Sequence, residues 1–176
     1  MQEMTLDSLR RIANDQGLYR TPGLNSKIYL HRRGYQSITN LDEYTGLRML
    51  FLESNAIEKI EGLDTLHELR ALYLQQNLIR KLEGLDRCAR LDALDVSKNF
   101  ISEIENMSHL KELTTLVLSE NCLANIESIR HITQINKLCI LDIQNNKIDC
   151  NDKDDPLEII EILAQCPSLR VLYLKV

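Results

Sequence analysis

Four histidines, five cysteines and a run of aspartates are the residues of this 176-residue chain with the most obvious chemistry. A zinc hydrolase needs two imidazoles on one helix face, as in H-E-x-x-H, so that both reach one ion. His31, His67, His109 and His131 form no such pair. The chain also lacks a G-x-S-x-G nucleophile turn, a P-loop and a G-x-G-x-x-G fingerprint. The cysteines, at 88, 122, 139, 150 and 166, are odd in number and lack metal-binding spacing, which suits a reducing compartment. Asp149, Asp152, Asp154 and Asp155 offer carboxylates to a cation. That run lacks the glycine and the distal glutamate of a calcium loop, and reads better as a solvated loop feeding a helix N-terminus. No catalytic, cofactor-binding or metal-ligating residue is expected, and the chain reads as non-enzymatic.

The periodic residues are asparagines. They fall at 55, 77, 99, 121 and 146, spaced by 22 three times and then by 25. Each closes the line L-x-x-L-x-L-x-x-N-x-I/L, first written from Leu47 to Ile57 and rewritten from Leu69, Leu91, Leu113 and Leu138. This is the signature of a leucine-rich repeat. The alternating Leu-x-Leu core reads as a short strand with one buried face. The asparagine amide both donates and accepts, and should pair backbone groups that the following bend leaves open. No repeat can bury its own leucines, so each covers its neighbour's. The expected class is α/β, a right-handed leucine-rich-repeat solenoid with a parallel concave sheet. Its 22-residue repeats leave room on the convex side for 3₁₀ turns rather than full helices.

Subtracting 22 from the first full repeat places apolar residues at Ile28, Leu30, Tyr35, Ile38, Leu41 and Tyr44, a degenerate first repeat with Asn25 and Arg33 at the leucine and asparagine positions. Strands are then expected near residues 29, 51, 73, 95, 117, 142 and 173, about seven in all, the last running from Val171 to Lys175. Residues 1–24 read as a helical cap and linker. Thr5 caps a helix to Asn14 with Leu6, Leu9 and Ile12 on one face, and Gly17 stops it. Residues 25–176 read as the solenoid. Asp155-Pro156-Leu157-Glu158 opens one true convex helix that ends before Pro167. The frame places the next asparagine one residue past Val176, so the solenoid is expected to be truncated at its C-terminal end. Cys88 and Cys166 fall in a core column with Leu66, Leu110 and Ile135, whereas Cys122 and Cys139 do not.

Side chains between the strand leucines point to the concave face. One column reads Met49, Ala71, Ala93, Thr115, Ile140, Val171. The next reads Phe51, Tyr73, Asp95, Val117, Asp142, Tyr173. Beyond them come Glu53, Gln75, Ser97, Ser119 and Gln144, with Arg48 and Arg70 beside two early strands. The chain has only eight aromatics, Tyr 6 and Phe 2, so a cluster of them ringed by charge reads as an interface hot spot. The expected protein-binding residues are Met49, Phe51, Glu53, Arg70, Tyr73, Gln75, Asp95, Val117, Asp142 and Tyr173. The competing reading folds the N-terminal cap over Phe51 and Tyr73. A net charge of −5 argues against a nucleic-acid partner, and no apolar run is long enough to span a membrane.

Repeats ending Ile-Glu-Gly-Leu or Ile-Glu-Asn-Met resemble the short leucine-rich class of the nuclear phosphatase-1 regulator. Leu18-Tyr19-Arg20-Thr21-Pro22, Tyr29-Leu30-His31 and Glu43-Tyr44-Thr45-Gly46-Leu47 resemble more narrowly the family of dynein axonemal assembly factor 1. Asp155-Pro156 and Pro167-Ser168-Leu169-Arg170 resemble that family's last repeats, while Phe51 stands in place of a tryptophan. The resemblance implies a cytoplasmic scaffold, associated with cilia or flagella, that binds axonemal dynein subunits or their chaperones and co-chaperones. A phosphatase regulatory subunit gripping its catalytic subunit on the concave face is the alternative. A nuclear ribonucleoprotein scaffold like the spliceosomal leucine-rich A-prime protein is a third reading.

Overall fold

The computed structural model describes residues 3–148 and 156–175, with the side chains of 156–158 excepted. The aspartate run from 149 to 155 and Cys150 lie outside the described residues.

Seven three-residue strands form one sheet in chain order: β1 Lys27–Tyr29, β2 Met49–Phe51, β3 Ala71–Tyr73, β4 Ala93–Asp95, β5 Thr115–Val117, β6 Ile140–Asp142 and β7 Val171–Tyr173. Every neighbouring pair is parallel and keeps the repeat register, so Leu50 lies beside Leu72 and Leu72 beside Leu94. The strands centre one residue earlier than expected, on the first of the two strand leucines, because the second begins the bend. β7 likewise ends at Tyr173 rather than at Lys175. Both leucine columns are core: Leu50, Leu72, Leu94, Leu116 and Leu141 are 0% exposed, as are Leu52 and Leu74. The degenerate first repeat is genuine, since Ile28, Leu30, Tyr35, Ile38, Leu41 and Tyr44 are all buried.

The asparagines make the expected ladder. Asn77 accepts the Ile57 N–H at 3.0 Å and donates to the carbonyls of Leu52 and Leu74 at 3.0 and 2.9 Å. Asn99 and Asn121 repeat this geometry, each reaching one coil back. An asparagine that serves the preceding coil has nothing to serve in the first one. This is the physical reason Arg33 can stand there, its own N–H donating to Asn55 at 2.9 Å.

The 22-residue coils cross the convex side in hydrogen-bonded turns, such as Leu66 N–H to Leu63 at 3.0 Å and Leu69 N–H to Leu66 at 3.1 Å. Gly84, at φ +68°, lets these crossings stack, for a Cβ there would lie 2.0 Å from the Ile60 carbonyl oxygen. The three residues added before Asn146 supply one more turn, and the crossing becomes a 3₁₀ helix, Glu127–Gln134. A true helix follows on the convex side, α2 Pro156–Ala164.

The first helix, α1 Leu6–Asp15, closes the N-terminal side. Thr5 and Ser8 form a reciprocal capping box. Gly17 at φ +66° ends the helix, with Leu18 N–H bonding Ala13 at 2.8 Å and Gly17 N–H bonding Asn14 at 3.0 Å. The buried face differs from expectation: Leu6 is 43% exposed, while Met4, Leu9, Ile12 and Ala13 are buried. Met4 enters the core because its carbonyl is held by Thr39 Oγ1 at 2.9 Å and Asn40 Nδ2 at 2.6 Å. That clamp fixes where the chain enters the helix, and so which side of it meets the first coil.

Candidate interaction face

In-register parallel strands put equivalent side chains one strand spacing apart, about 4.8 Å. Flat rings in one column must therefore stack. Tyr29 and Phe51 do so with centroids 4.5 Å apart, and Phe51 and Tyr73 with centroids 4.7 Å apart at an interplanar angle of 10°. Lys27 Nζ lies 5.7 Å from the Tyr29 centroid, and the His31 ring meets Tyr29 edge-on. The stack stops at Tyr73 because the next residue in its column is Asp95.

Beside the stack runs the column His31, Glu53, Gln75. His31 Nδ1 stands 3.5 Å from a Glu53 oxygen. His31 Nδ1, Glu53 Oε2 and Gln75 Oε1 are buried without a hydrogen-bond partner. Some glutamates elsewhere pair with lysine or arginine across the coils, as Glu112 with Lys137 at 2.7 Å and Glu120 with Lys98 at 3.4 Å. Glu53, whose side chain is 23% exposed, has only the histidine among the described residues.

The other candidates are spread along the sheet. Met49 is half-buried beside Ala71. Asp95 accepts hydrogen bonds from the Ser97 N–H and Oγ–H at 2.9 and 2.7 Å, and Asp142 accepts the Gln144 N–H at 3.0 Å. Val117 lies half-buried between these two aspartates. Tyr173 is 49% exposed four strands from Tyr73, roughly 19 Å away at the usual spacing, so it is no part of the aromatic stack. Arg70 is exposed on the rim, one residue before β3. The structure thus gathers Met49, Phe51, Glu53, Tyr73, Gln75 and Asp95 and leaves Arg70, Asp142 and Tyr173 apart. Tyr29, His31 and Lys27 belong with the cluster although they were not among the expected binding residues. Subtracting one repeat from Phe51, Glu53 and Met49 finds all three. The cap meets the sheet at its first strand, where the Gln16 side chain pairs with the Tyr29 backbone, while Phe51 and Tyr73 stay half-buried.

Two other chemical groups have structural explanations. Cys88 is buried, and burial pushes its thiol up to about 11, with Asp64 and Asp86 adding to the rise. Cys166 is buried as well and its thiol is shifted the same way. Burial also holds the His131 imidazole below its ordinary value, and its Nε2 accepts the Met107 N–H of the preceding coil at 3.1 Å. Among the described residues no group of three or more His, Cys, Asp or Glu is placed to hold a metal ion. No helix among them is long and apolar enough to cross a membrane.

The leucine-rich repeat family model matches residues 47–176. This chain belongs to the leucine-rich repeat family. Within the family it is similar to dynein axonemal assembly factor 1. A homolog of that factor from Drosophila pseudoobscura pseudoobscura is 53% identical over 57 residues, which cover 32% of this chain and 4% of the relative. The human factor is 51% identical over 49 residues, covering 28% of this chain and 7% of that protein. The matched stretch is therefore a small part of each relative. Among solved leucine-rich repeats, an internalin (InlF) of Listeria monocytogenes superposes with a TM-score of 0.72 over 96% of this chain and 46% of its own, at 22% identity. InlJ of the same organism gives 0.63 over 87% of this chain and 35% of its own, at 19% identity. At these identities the two internalins share the fold. A leucine-rich repeat is a protein-interaction fold, and the family and the assembly-factor relatives accord with a non-enzymatic scaffold.

Proposed function

We propose that this leucine-rich repeat domain is a scaffold for preassembly of axonemal dynein arms. It acts in the cytoplasm of a ciliated or flagellated cell. It holds dynein subunits, or the chaperones and co-chaperones that handle them, on its concave face. The observation that carries this reading is the stretch of about half-identical sequence shared with dynein axonemal assembly factor 1. The stacked Tyr29, Phe51 and Tyr73 supply a rigid apolar anchor of the kind that dominates protein interfaces.

The test is capture from the cytoplasm of a flagellated cell, with the wild-type chain and a Phe51→Glu/Tyr73→Glu variant as baits. Dynein chains or their chaperones held by the wild type and lost by the variant are the expected result. A phosphatase catalytic subunit held in their place would replace the reading with the regulatory-subunit one. Dynein held equally by both baits would move the interface off the concave face. Both substituted side chains face away from the leucine core, so the variant should keep the fold, with a melt lowered by loss of the ring stack.

A further inference from the structure

We propose that the concave face takes an arginine side chain from its protein partner, seated against the open face of Tyr73 and over the carboxylate of Asp95. The inference rests on the reading that this face is the interface, and it names the chemistry of what binds there. Tyr73 stacks on Phe51 nearly parallel, from the β2 side, so its second face turns toward β4. The column continues there with Asp95, whose short side chain leaves that face without a ring. A planar guanidinium fits the vacancy, because it would extend the aromatic stack by one step and bring its N–H groups to a carboxylate.

The polar groups around this place match a donor. The Ser97 N–H and Oγ–H both bond Asp95 Oδ1, which fixes the carboxylate and leaves Oδ2 for a ligand. No lysine or arginine pairs with Asp95 among the described residues. Gln75 Oε1 and Glu53 Oε2, in the adjoining column, are acceptors with no donor. A small rotation of either side chain would offer one. The cations nearby are otherwise placed: Lys27 lies against Tyr29 at the far end of the stack, Lys98 pairs with Glu120 at 3.4 Å, and Arg48 and Arg70 sit on the rim. Among the described residues, the centre of the face thus carries carboxylates and π-faces with no lysine or arginine set against them. An uncharged apolar segment would leave these acceptors covered and unpaired, which disfavours it as the occupant.

The experiment titrates the isotope-labelled chain with three peptides, acetyl-Gly-Ser-X-Ser-Gly-amide, where X is arginine, lysine or the neutral isostere citrulline. Nuclear magnetic resonance follows the Gln75 side-chain amide and the Ser97 backbone amide. The arginine peptide should shift both. Lysine should bind about threefold more weakly, and citrulline should leave both signals in place. Asp95→Asn, which keeps the size of the side chain, should weaken arginine binding by about three- to tenfold. Equal binding of citrulline, an unchanged affinity in Asp95→Asn, or shifts confined to other surfaces would each overturn the inference. The two readings fail separately. Capture of dynein lost with Phe51→Glu/Tyr73→Glu but untouched by Asp95→Asn keeps the scaffold and removes the arginine.

Discussion

The first and last described strands of the sheet have the same backbone and the same columns, yet their side chains are covered to different degrees. At β1 the outward edge is finished: the Gln16 side chain donates to the Tyr29 carbonyl at 2.6 Å and accepts the Tyr29 N–H at 3.1 Å, standing in for one residue of a missing strand. Behind it Met4, Leu9 and Ile12 cover the first coil, and Ile28 is 0% exposed. At β7, Leu172 occupies the column in which Leu50, Leu72, Leu94, Leu116 and Leu141 are all 0% exposed, but it is itself 38% exposed. Tyr173 beside it is 49% exposed. A residue's column fixes the direction it points, whereas burial needs a neighbouring coil or cap on each side.

The comparison can be broken most directly at the leucines. Leu72→Ala should cost ~2–5 kcal/mol in urea unfolding, as a truncation in a sealed core does. Leu172→Ala, in the same column, should cost less than half as much. Equal losses would mean that β7 is as well covered in solution as β3. Next in size is the asparagine ladder. Asn99→Ala orphans the buried Ile79 N–H and takes one of two amide donors from the Leu74 and Val96 carbonyls, which keep Asn77 and Asn121; it should cost ~1–3 kcal/mol, and an unchanged melt would count against the ladder.

Gln16→Ala sharpens the view of the capped edge. It should cost ~0.5–1.5 kcal/mol and speed hydrogen exchange at the Tyr29 amide while leaving β7 unchanged. The smallest expected effect is a pH response toward the other end. His131 has a folded value below its ordinary 6.5, so its contribution is complete above pH 6.5 and fades as pH falls through the lower folded value. Protonation removes the lone pair that accepts the Met107 N–H, so the protection of that amide relative to its intrinsic exchange rate should fall on acidification. His131→Gln should flatten the response.

Much of the fold can be read from spacing, because a repeated backbone repeats its demands. The columns of Leu50 and Leu52, the asparagines and the buried position of Cys88 all follow from one period. So does the presence of Ile28 and Leu30 in a coil that lacks both its leading leucine and its asparagine. The helix starting at Pro156 follows from a proline at its first position, while its expected cap at Asp155 lies outside the described residues. The candidate face was legible as columns, and Tyr29 and His31 could have been added by extending them one repeat. Contacts made by residues outside the frame were less legible. Nothing in the spacing marks Gln16 as the partner of Tyr29, or prefers Met4 over Leu6 for the core, since both depend on how α1 sits on the first coil.

The sequence by itself determined the number of coils, the direction each side chain points and the internal hydrogen-bond ladder, since these are set by periodicity and by near neighbours one repeat away. Only the tertiary structure decided which of those side chains are covered, that three rings form a continuous stack, and that among the described residues Glu53 and Asp95 have no lysine or arginine partner where Glu68, Glu112 and Glu120 do. Those outcomes depend on sub-ångström placement and on what lies across a gap, and a one-dimensional pattern encodes neither.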